Sequence, residues 1–140
     1  MKKYIYILIS LCFLVSCASK HLGENFTKAE EPNENQVLIY FYRPQEAIGA
    51  IVYYTIKENN KHVVTMYNGG YYPYYTTEGT KTFSATTEFK KSITIDTKNG
   101  ETYFVKEGIG IGVFIGHPKF TLVNDNTVAL SEIEECRMLK

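Results

Sequence analysis

The alternation of apolar and polar positions after residue 36 is typical of short β-strands separated by tight turns. Apolar, β-branched and aromatic runs of about seven residues recur every 8–12 residues, as in antiparallel sandwiches. The runs are VLIYFYRP from Val37, AIVYYTIK from Ala50, HVVTMY from His62, YYPYYTT from Tyr71, GTKTFSATT from Gly79, KSITIDT from Lys91, TYFVKEGIGIGVFI from Thr102 and HPKFTLV from His117. The pattern predicts a mainly β fold, a small antiparallel β-sandwich of about seven to eight strands.

Two local signals refine this expectation. The runs from Ala50 and His62 flank a polar turn at Asn59–Asn60, which predicts a β-hairpin. The last segment, TVALSEIEECRMLK from Thr127, instead has apolar residues at helical spacing. It predicts one C-terminal α-helix, capped by Thr127 or Asn126 and packed on an edge or an open face of the sandwich.

The first twenty residues, MKKYIYILISLCFLVSCASK, have the organisation of an export signal. Lys2 and Lys3 precede an apolar stretch that is too short to span a bilayer but suits a signal-peptide core. The stretch ends in LVSC, which resembles a bacterial lipobox. The resemblance implies that Cys17 is lipidated and becomes the N-terminus, although an ordinary secretory signal with a chance cysteine remains the alternative.

This interpretation divides the chain into three parts. Residues 1–16 are predicted to be a lipoprotein signal peptide, residues 17–36 the lipidated cysteine and a flexible polar tether, and residues 37–140 the β-sandwich domain with its helix. Ala18 follows the cysteine where an aspartate would mark inner-membrane retention in some bacteria, so the outer membrane is expected. Its periplasmic and surface faces remain open.

Charge and cysteine content limit the classes of function. The chain has 15 basic and 15 acidic residues, and removing residues 1–16 leaves 13 against 15. There is no basic footprint for nucleic acid. Because Cys12 leaves with the signal and Cys17 is expected to be lipidated, Cys136 has no intramolecular partner. We interpret Cys136 as a small buried hydrophobe rather than a reactive thiol.

No catalytic or metal-binding pattern is present in the sequence. His21, His62 and His117 lack zinc-like spacing, and no GxSxG nucleophile motif occurs. We therefore expect no enzyme activity, metal or cofactor. The segment GIGIGVFIG, from Gly108 to Gly116, gives no G-x-G-x-x-G register. It predicts a strand with a bare glycine face against which the helix packs, and a groove for a partner is the alternative.

The segment YNGGYYPYY, residues 67–75, carries five of the twelve tyrosines. Strand parity places Tyr72 and Tyr74 on one face and Tyr71 and Tyr75 on the other. Pro73 predicts an edge or bulged strand, because proline donates no ladder hydrogen bond. Packing and ligand recognition are both open for these rings. The candidate binding surface comprises Tyr71, Tyr72, Tyr74, Tyr75 and Arg43. Arg43 is interpreted as a surface arginine, with stacking on a neighbouring tyrosine as the alternative.

The order of several segments between Tyr40 and Val105 carries a family resemblance. YFYRP, IGAIVYYTI, YNGGYY, EGTKTFSA and KNGETYFVK follow one another. This order resembles an uncharacterised family of short bacterial lipoproteins and also PEGA-type modules, which are small transthyretin-like β-sandwiches on bacterial surface proteins. Such modules usually carry Pro-Gly where this chain has Glu78–Gly79. The resemblance implies a fold and a location but no catalytic residues.

Together these features predict a lipid-anchored bacterial cell-envelope protein that serves as a non-enzymatic binding or structural accessory. Its expected partners are the membrane, through the lipid on Cys17, and an envelope protein or glycan. The alternative is a glycan- or peptidoglycan-binding module that uses an exposed tyrosine face.

Overall fold

The structure, a computed structural model, describes residues 20–140. The predicted signal peptide and Cys17 lie outside the described residues. The described chain forms ten strands and one helix: β1 Leu22–Asn25, β2 Val37–Arg43, β3 Tyr54–Glu58, β4 Lys61–Met66, β5 Gly70–Thr76, β6 Gly79–Thr86, β7 Lys90–Thr97, β8 Thr102–Gly110, β9 His117–Val123, α1 Asn126–Ile133 and β10 Arg137–Leu139.

The strands form two sheets in a sandwich-like arrangement. The larger sheet has the order β1-β10-β5-β2-β8-β9, and the smaller has the order β4-β3-β6-β7. The predicted mainly β fold is confirmed. The expectation of an antiparallel sandwich of about seven to eight strands differs from the structure in two respects. The described residues form ten strands, and two strand pairs are parallel, β2 with β8 and β10 with β5. The long connection between β2 and β8 contains the whole smaller sheet and thereby permits the parallel pair.

Strand β2 is the centre of the molecule, and all seven of its residues are buried. One face, with Ile39 and Phe41, packs between the two sheets against residues such as Phe83. The opposite face packs under α1 in a second cluster that contains Tyr40 and Ile133. A strand covered on both faces needs no polar alternation. This explains the uninterrupted apolar and aromatic character of VLIYFYR.

Local turn chemistry is confirmed at the predicted hairpin. β3 and β4 pair antiparallel across Asn59–Asn60. Both asparagines have positive φ, 48° and 66°. Such values suit the two-residue hairpin turns whose twist matches that of the flanking strands, and asparagine tolerates them better than most residues.

The C-terminal segment is helical only in its first half. α1 ends at Ile133, and Arg137–Leu139 forms β10 between β5 and β1. The helix predicted over the whole segment is therefore wrong beyond Ile133. The N-cap is Asp125, whose Oδ1 accepts from the backbone N–H groups of Thr127 at 2.9 Å and Val128 at 3.2 Å. An unpaired edge of β5 outweighs the helical spacing of the last residues, because main-chain pairing there buries Leu139.

The segment predicted to be a flexible tether is partly built into the domain. β1 pairs antiparallel with β10. Phe26 packs against Tyr71 with ring centroids 5.3 Å apart, and the Glu30 N–H donates to the Tyr40 hydroxyl at 2.8 Å. The free tether expected up to residue 36 is wrong for these residues, since their contacts with the larger sheet fix the segment.

Candidate functional site

The four tyrosines of β5 do not form an open platform. Tyr72 and Tyr74 face the layer between the sheets and are half-buried. On the opposite face, Tyr71 is 5% exposed, and Tyr75 is 39% exposed. The Tyr74 hydroxyl donates to Glu58 at 2.6 Å, and burial and this contact raise the pKa of Tyr74 to about 12. Tyr75 alone among the four is exposed.

Pro73 lies where β5 has a strand partner on one side only. It is opposite Tyr40 of β2, whereas β10 pairs with β5 only at Gly70 and Tyr71. The expectation of an edge is thus met locally, although β5 occupies an interior position in the sheet order. On the side of Pro73 that has no partner strand, the missing N–H group therefore costs no hydrogen bond between strands.

Arg43 is fully buried, so its interpretation as a surface arginine is wrong, and it lies outside any exposed surface. Its Nη1 donates to the Val52 carbonyl at 2.6 Å and its Nη2 to the Gly49 carbonyl at 2.7 Å. Its guanidinium also lies 6.0 Å from the centroid of the Tyr54 ring, which agrees with the stacking alternative. Arg43 therefore holds the loop between β2 and β3 through two backbone carbonyls.

A buried acid accompanies this arginine. Glu107 is 1% exposed, and its Oε2 accepts from the Tyr54 hydroxyl at 3.1 Å. Burial raises the pKa of Glu107 well above its usual range, although Tyr54 and Arg43 oppose the shift. Burial likewise lowers the pKa of Arg43. Arg43 Nε and Glu107 Oε1 lack a hydrogen-bond partner among the described residues. The interior at this end of the larger sheet is therefore polar.

Outside this polar interior, two loops form a strongly apolar surface, which we call the apolar tip and define as residues 44–53 and 111–116. The loops follow β2 and β8, which run parallel and end at the same end of the sheet. Gly49 has φ +72°, and a Cβ placed there would lie 2.9 Å from Ile109, so the first loop is in close contact with the end of β8, from which the second loop starts. A groove of about 210 Å³ runs between them, lined entirely by glycine and apolar side chains.

The side chains of the apolar tip are unusually exposed for their size. Ile111 is 94% exposed, Ile51 93%, Phe114 91% and Ile48 81%. Val113 and Ile115 extend the same surface. Exposed single apolar residues are common on protein surfaces, but a contiguous group of large ones marks an interaction site or an aggregation hazard.

A second charged side chain holds the other loop of the tip. The carboxylate of Glu88, in the turn between β6 and β7, accepts from the backbone N–H groups of Val113 at 2.8 Å, Phe114 and Ile115. These bonds lower the pKa of Glu88. The neighbouring Thr87 hydroxyl donates to the Gly116 carbonyl at 2.5 Å. The apolar loop is thus ordered by polar contacts from the neighbouring turn between β6 and β7.

The sequence interpretation missed this site because both loops resemble strands. Ala50–Lys57 was expected to be a strand throughout, yet β3 begins at Tyr54. The expected strand through Gly116 ends at Gly110, and a Cβ at Gly108 would meet no atom within 4 Å. The predicted packing of the helix on this glycine face is wrong, because Ala129 and Ile133 pack with Phe104 on the central strands. The usable signal was the absence of any polar side chain from residue 108 to 116.

The histidines lie in two places: His21 and His62 line one surface pocket, and His117 lies beside Gly110, where the second loop starts. Within residues 20–140, no three His, Cys, Asp or Glu side chains are grouped to hold a metal ion. Cys136 is 1% exposed, which confirms its interpretation as a buried hydrophobe, and burial raises the pKa of its thiol to about 12. No helix in the described part of the chain is long and apolar enough to cross a bilayer.

Comparisons with known proteins give no relative. No family model, curated protein or solved structure matches this chain.

Proposed function

We propose that this chain is a lipid-anchored bacterial cell-envelope protein that acts as a non-enzymatic binding or structural accessory. A partner binds it at the apolar tip. In this proposal Cys17 carries the lipid, the outer membrane is the location, and the resemblance to short lipoproteins and PEGA-type sandwiches reflects kinship of fold. The apolar tip is the docking surface.

The observation that carries the proposal is that charged side chains outside the tip hold the backbone of both of its loops. Arg43 holds the carbonyls of Gly49 and Val52, and Glu88 holds three amides of the second loop. A preorganised surface binds with less loss of conformational entropy than a loop that must be ordered on contact. Large apolar side chains kept exposed by such contacts are a feature of binding surfaces.

The anchor would hold the domain close to its membrane. The described chain begins at Lys20, three residues after Cys17, and three residues span at most about 10 Å. Because β1 starts at Leu22, the arm between lipid and domain is far shorter than a tether reaching to residue 36. The sandwich would then act near the membrane surface rather than at a distance from it.

The anchor is tested by metabolic labelling with a fatty-acid probe. Wild-type protein should carry the label, and Cys17→Ala should lose it. Persistent labelling of the Cys17→Ala variant would exclude Cys17 as the acylated residue. A Cys136→Ala variant is the matched control, and it should be labelled like the wild type.

The docking surface is tested by photo-crosslinking in growing cells. A photo-crosslinking amino acid replaces Phe114 at the tip or, as a control, Lys98, which is exposed in the turn before β8 at the opposite end of that strand. We expect a discrete adduct with one envelope component from position 114 and none from position 98. Equal, diffuse labelling from both positions in correctly lipidated protein would refute the tip as a docking surface.

Glycan binding is a second candidate, supported by a group of stacked rings at the end of the first loop of the tip. The His21 and Tyr67 rings stack with centroids 4.3 Å apart, and Tyr53 stacks on Tyr67 at 5.2 Å. Tyr53 is 61% exposed. Aromatic rings with one face open suit amphipathic ligands. Co-sedimentation of residues 20–140 with purified peptidoglycan tests this candidate. Loss of sedimentation in Tyr53→Ala would support it, and the absence of sedimentation by the wild type would reject it.

A further inference from the structure

We infer that the partner of the apolar tip is the surface of a phospholipid bilayer with anionic headgroups, into which the two loops insert. This inference rests on the proposed role of the tip as a docking surface and specifies the chemistry of what it contacts. It comes from three features of the tip: its side chains, its backbone hydrogen bonds and the charges beside it.

The side chains suit a hydrocarbon environment better than a protein interface. The most exposed large residues of the tip are aliphatic or phenylalanine, represented by Ile51, Ile111 and Phe114. Tyr53, at the end of the first loop, is 61% exposed, and Gln45 and Glu46, near its start, are the exposed polar residues of that loop. The energetic centres of protein interfaces are instead enriched in tryptophan, tyrosine and arginine, which combine apolar area with hydrogen bonds. Residues 108–116 offer no side-chain hydrogen bond at all. Aliphatic and phenylalanine side chains are those that enter the acyl boundary of a membrane.

Several backbone groups of the tip have hydrogen-bond partners within the protein, which lowers the cost of inserting the loops into lipid. Glu88 accepts from three consecutive amides of the second loop, and Thr87 donates to the Gly116 carbonyl. Arg43 donates to two carbonyls of the first loop, where the Val52 N–H also donates to the Gly49 carbonyl at 2.9 Å. Loops in water need no such partners, since water supplies the hydrogen bonds. In hydrocarbon, each unsatisfied backbone group is costly.

Charges of both signs lie at the tip: Glu46 in the first loop is exposed, and two lysines follow the turn that holds the second loop. Glu88 is followed by Phe89, which is 53% exposed, and then by the exposed lysines Lys90 and Lys91. The carboxylate of Glu88 is turned into the loop and bound by its amides. Lysines next to an inserted apolar group are placed to meet anionic headgroups. Binding should therefore weaken as salt is raised.

The chain enters the domain near the first loop of the tip. Leu22 is level with Phe41, two residues before the end of β2, and His21 stacks on Tyr67, which stacks on Tyr53 of that loop. β1 runs towards the tip, because Asn25 lies opposite Arg137, which lies beside Gly70 at the end where β2 stops. Leu22 is about 17 Å short of Gly110 along the strand direction, roughly five residues. With a lipid on Cys17, the tip would be a second attachment to the same bilayer, within reach of the first.

The test is flotation of residues 20–140, which contain every described strand and the whole core, with vesicles of equal parts phosphatidylglycerol and phosphatidylethanolamine. The wild type should float with the vesicles, and Ile111→Ser/Phe114→Ser should lower the partition by about tenfold or more, as expected for removing two buried apolar groups. The matched control is Leu122→Ser/Val128→Ser, two exposed apolar residues on β9 and α1, which should float like the wild type.

A tryptophan reporter keeps the test independent of the double variant. The chain contains no tryptophan, so Phe114→Trp and Tyr75→Trp each carry a single one. We expect vesicles to shift the emission of the first variant to the blue and to leave the second unchanged.

Two results would overturn the lipid assignment. One is failure of the wild type to float with these vesicles at low salt. The other is a blue shift of Phe114→Trp with protein concentration in the absence of vesicles, which would identify a second copy as the partner. If flotation fails while crosslinking from position 114 to one envelope protein persists, the docking function stands and only the lipid is wrong.

Discussion

The aromatic stretch at residues 67–75 is more buried than its composition indicates, whereas the glycine-rich stretch at residues 108–116 is more exposed. Five tyrosines suggest a surface for recognition, yet Tyr71 is nearly buried, and Tyr72 and Tyr74 face the space between the sheets. Alternating glycines suggest a face for close packing, yet Ile111 and Phe114 are more than 90% exposed. Composition alone is therefore a poor guide to which side of a segment meets solvent.

The difference has a physical cause in the partners of the polar groups. Tyrosines can be buried in this sandwich because their hydroxyls reach carboxylates at its margins, as Tyr74 reaches Glu58. The tip shows the reverse arrangement, since the charged groups that hold its loops, Arg43 and Glu88, are directed to the loop backbone. Apolar side chains are then left outside on loops that are nonetheless ordered.

The largest expected effect is the contrast in stability between the two stretches. Tyr71→Ala should lower the free energy of unfolding by about 3–5 kcal/mol, since it removes a buried ring that packs against Phe26 and Tyr40. Phe114→Ala should change it by less than about 0.5 kcal/mol. Urea unfolding of residues 20–140 measures both. Similar losses in the two variants would show that the tip is packed rather than exposed.

The buried Arg43 should contribute nearly as much to the free energy of unfolding as Tyr71. Arg43→Met leaves the carbonyls of Gly49 and Val52 without a donor beside buried Glu107, and we expect a loss of about 2–4 kcal/mol. The loop at residues 44–53 should also become sensitive to limited proteolysis. Arg43→Lys, which retains one cation without the planar fork, should fall between wild type and Arg43→Met. Unchanged stability and protease resistance in Arg43→Met would show that the tip does not depend on this contact.

The buried acid below the tip should give a distinct pH dependence. Because the folded-state pKa of Glu107 is raised, the native state holds its proton more tightly than the unfolded state, and stability falls as pH rises from 4.5 through the raised value. Glu107→Gln lacks this titration, so its stability relative to wild type should grow over that range. Glu134→Gln, the same substitution at an exposed position, is the matched control. Parallel pH profiles for wild type and Glu107→Gln would contradict the assignment.

The smallest effect should separate two tyrosine hydroxyls of the aromatic stretch. Tyr74→Phe removes a hydrogen bond to Glu58 at a half-buried site, and we expect a loss of about 0.5–1.5 kcal/mol. Tyr75→Phe removes the contact with Glu30 at the surface and should change stability by less than about 0.5 kcal/mol. Chemical denaturation of the two variants measures both losses in the free energy of unfolding. A larger loss for Tyr75→Phe would reverse the order of burial within β5.

Much of the β architecture could be predicted, because strands and turns are encoded locally. β2, β4 and β7 lie close to their predicted runs, and the Asn59–Asn60 hairpin forms as expected. The strand at the C-terminus could not be predicted. Residues 137–139 become β10 only because β5 and β1 offer unpaired edges on both sides. β1 pairs with β10, so its strand character also depends on that distant segment, and the local sequence of these residues instead indicates a tether.

The candidate site was almost wholly out of reach of sequence reasoning. Arg43 was named, but as a surface residue, because its two acceptors lie in a loop that was expected to be a strand. Glu88 lies 25 to 27 residues from the amides it binds, so nothing in its own neighbourhood indicates the contact. Long-range contacts of this kind depend on which ends of which strands meet.

By itself, the sequence determined the mainly β character, the positive φ of the Asn59–Asn60 turn, and the parity that separates Tyr72 and Tyr74 from Tyr71 and Tyr75. These features follow from steric limits on the backbone and from the two-residue repeat of a strand. Only the tertiary structure decided which face is covered, that Arg43 is buried, and that the apolar tip is exposed. Burial depends on neighbouring layers brought together by distant parts of the chain, and a local pattern does not contain them.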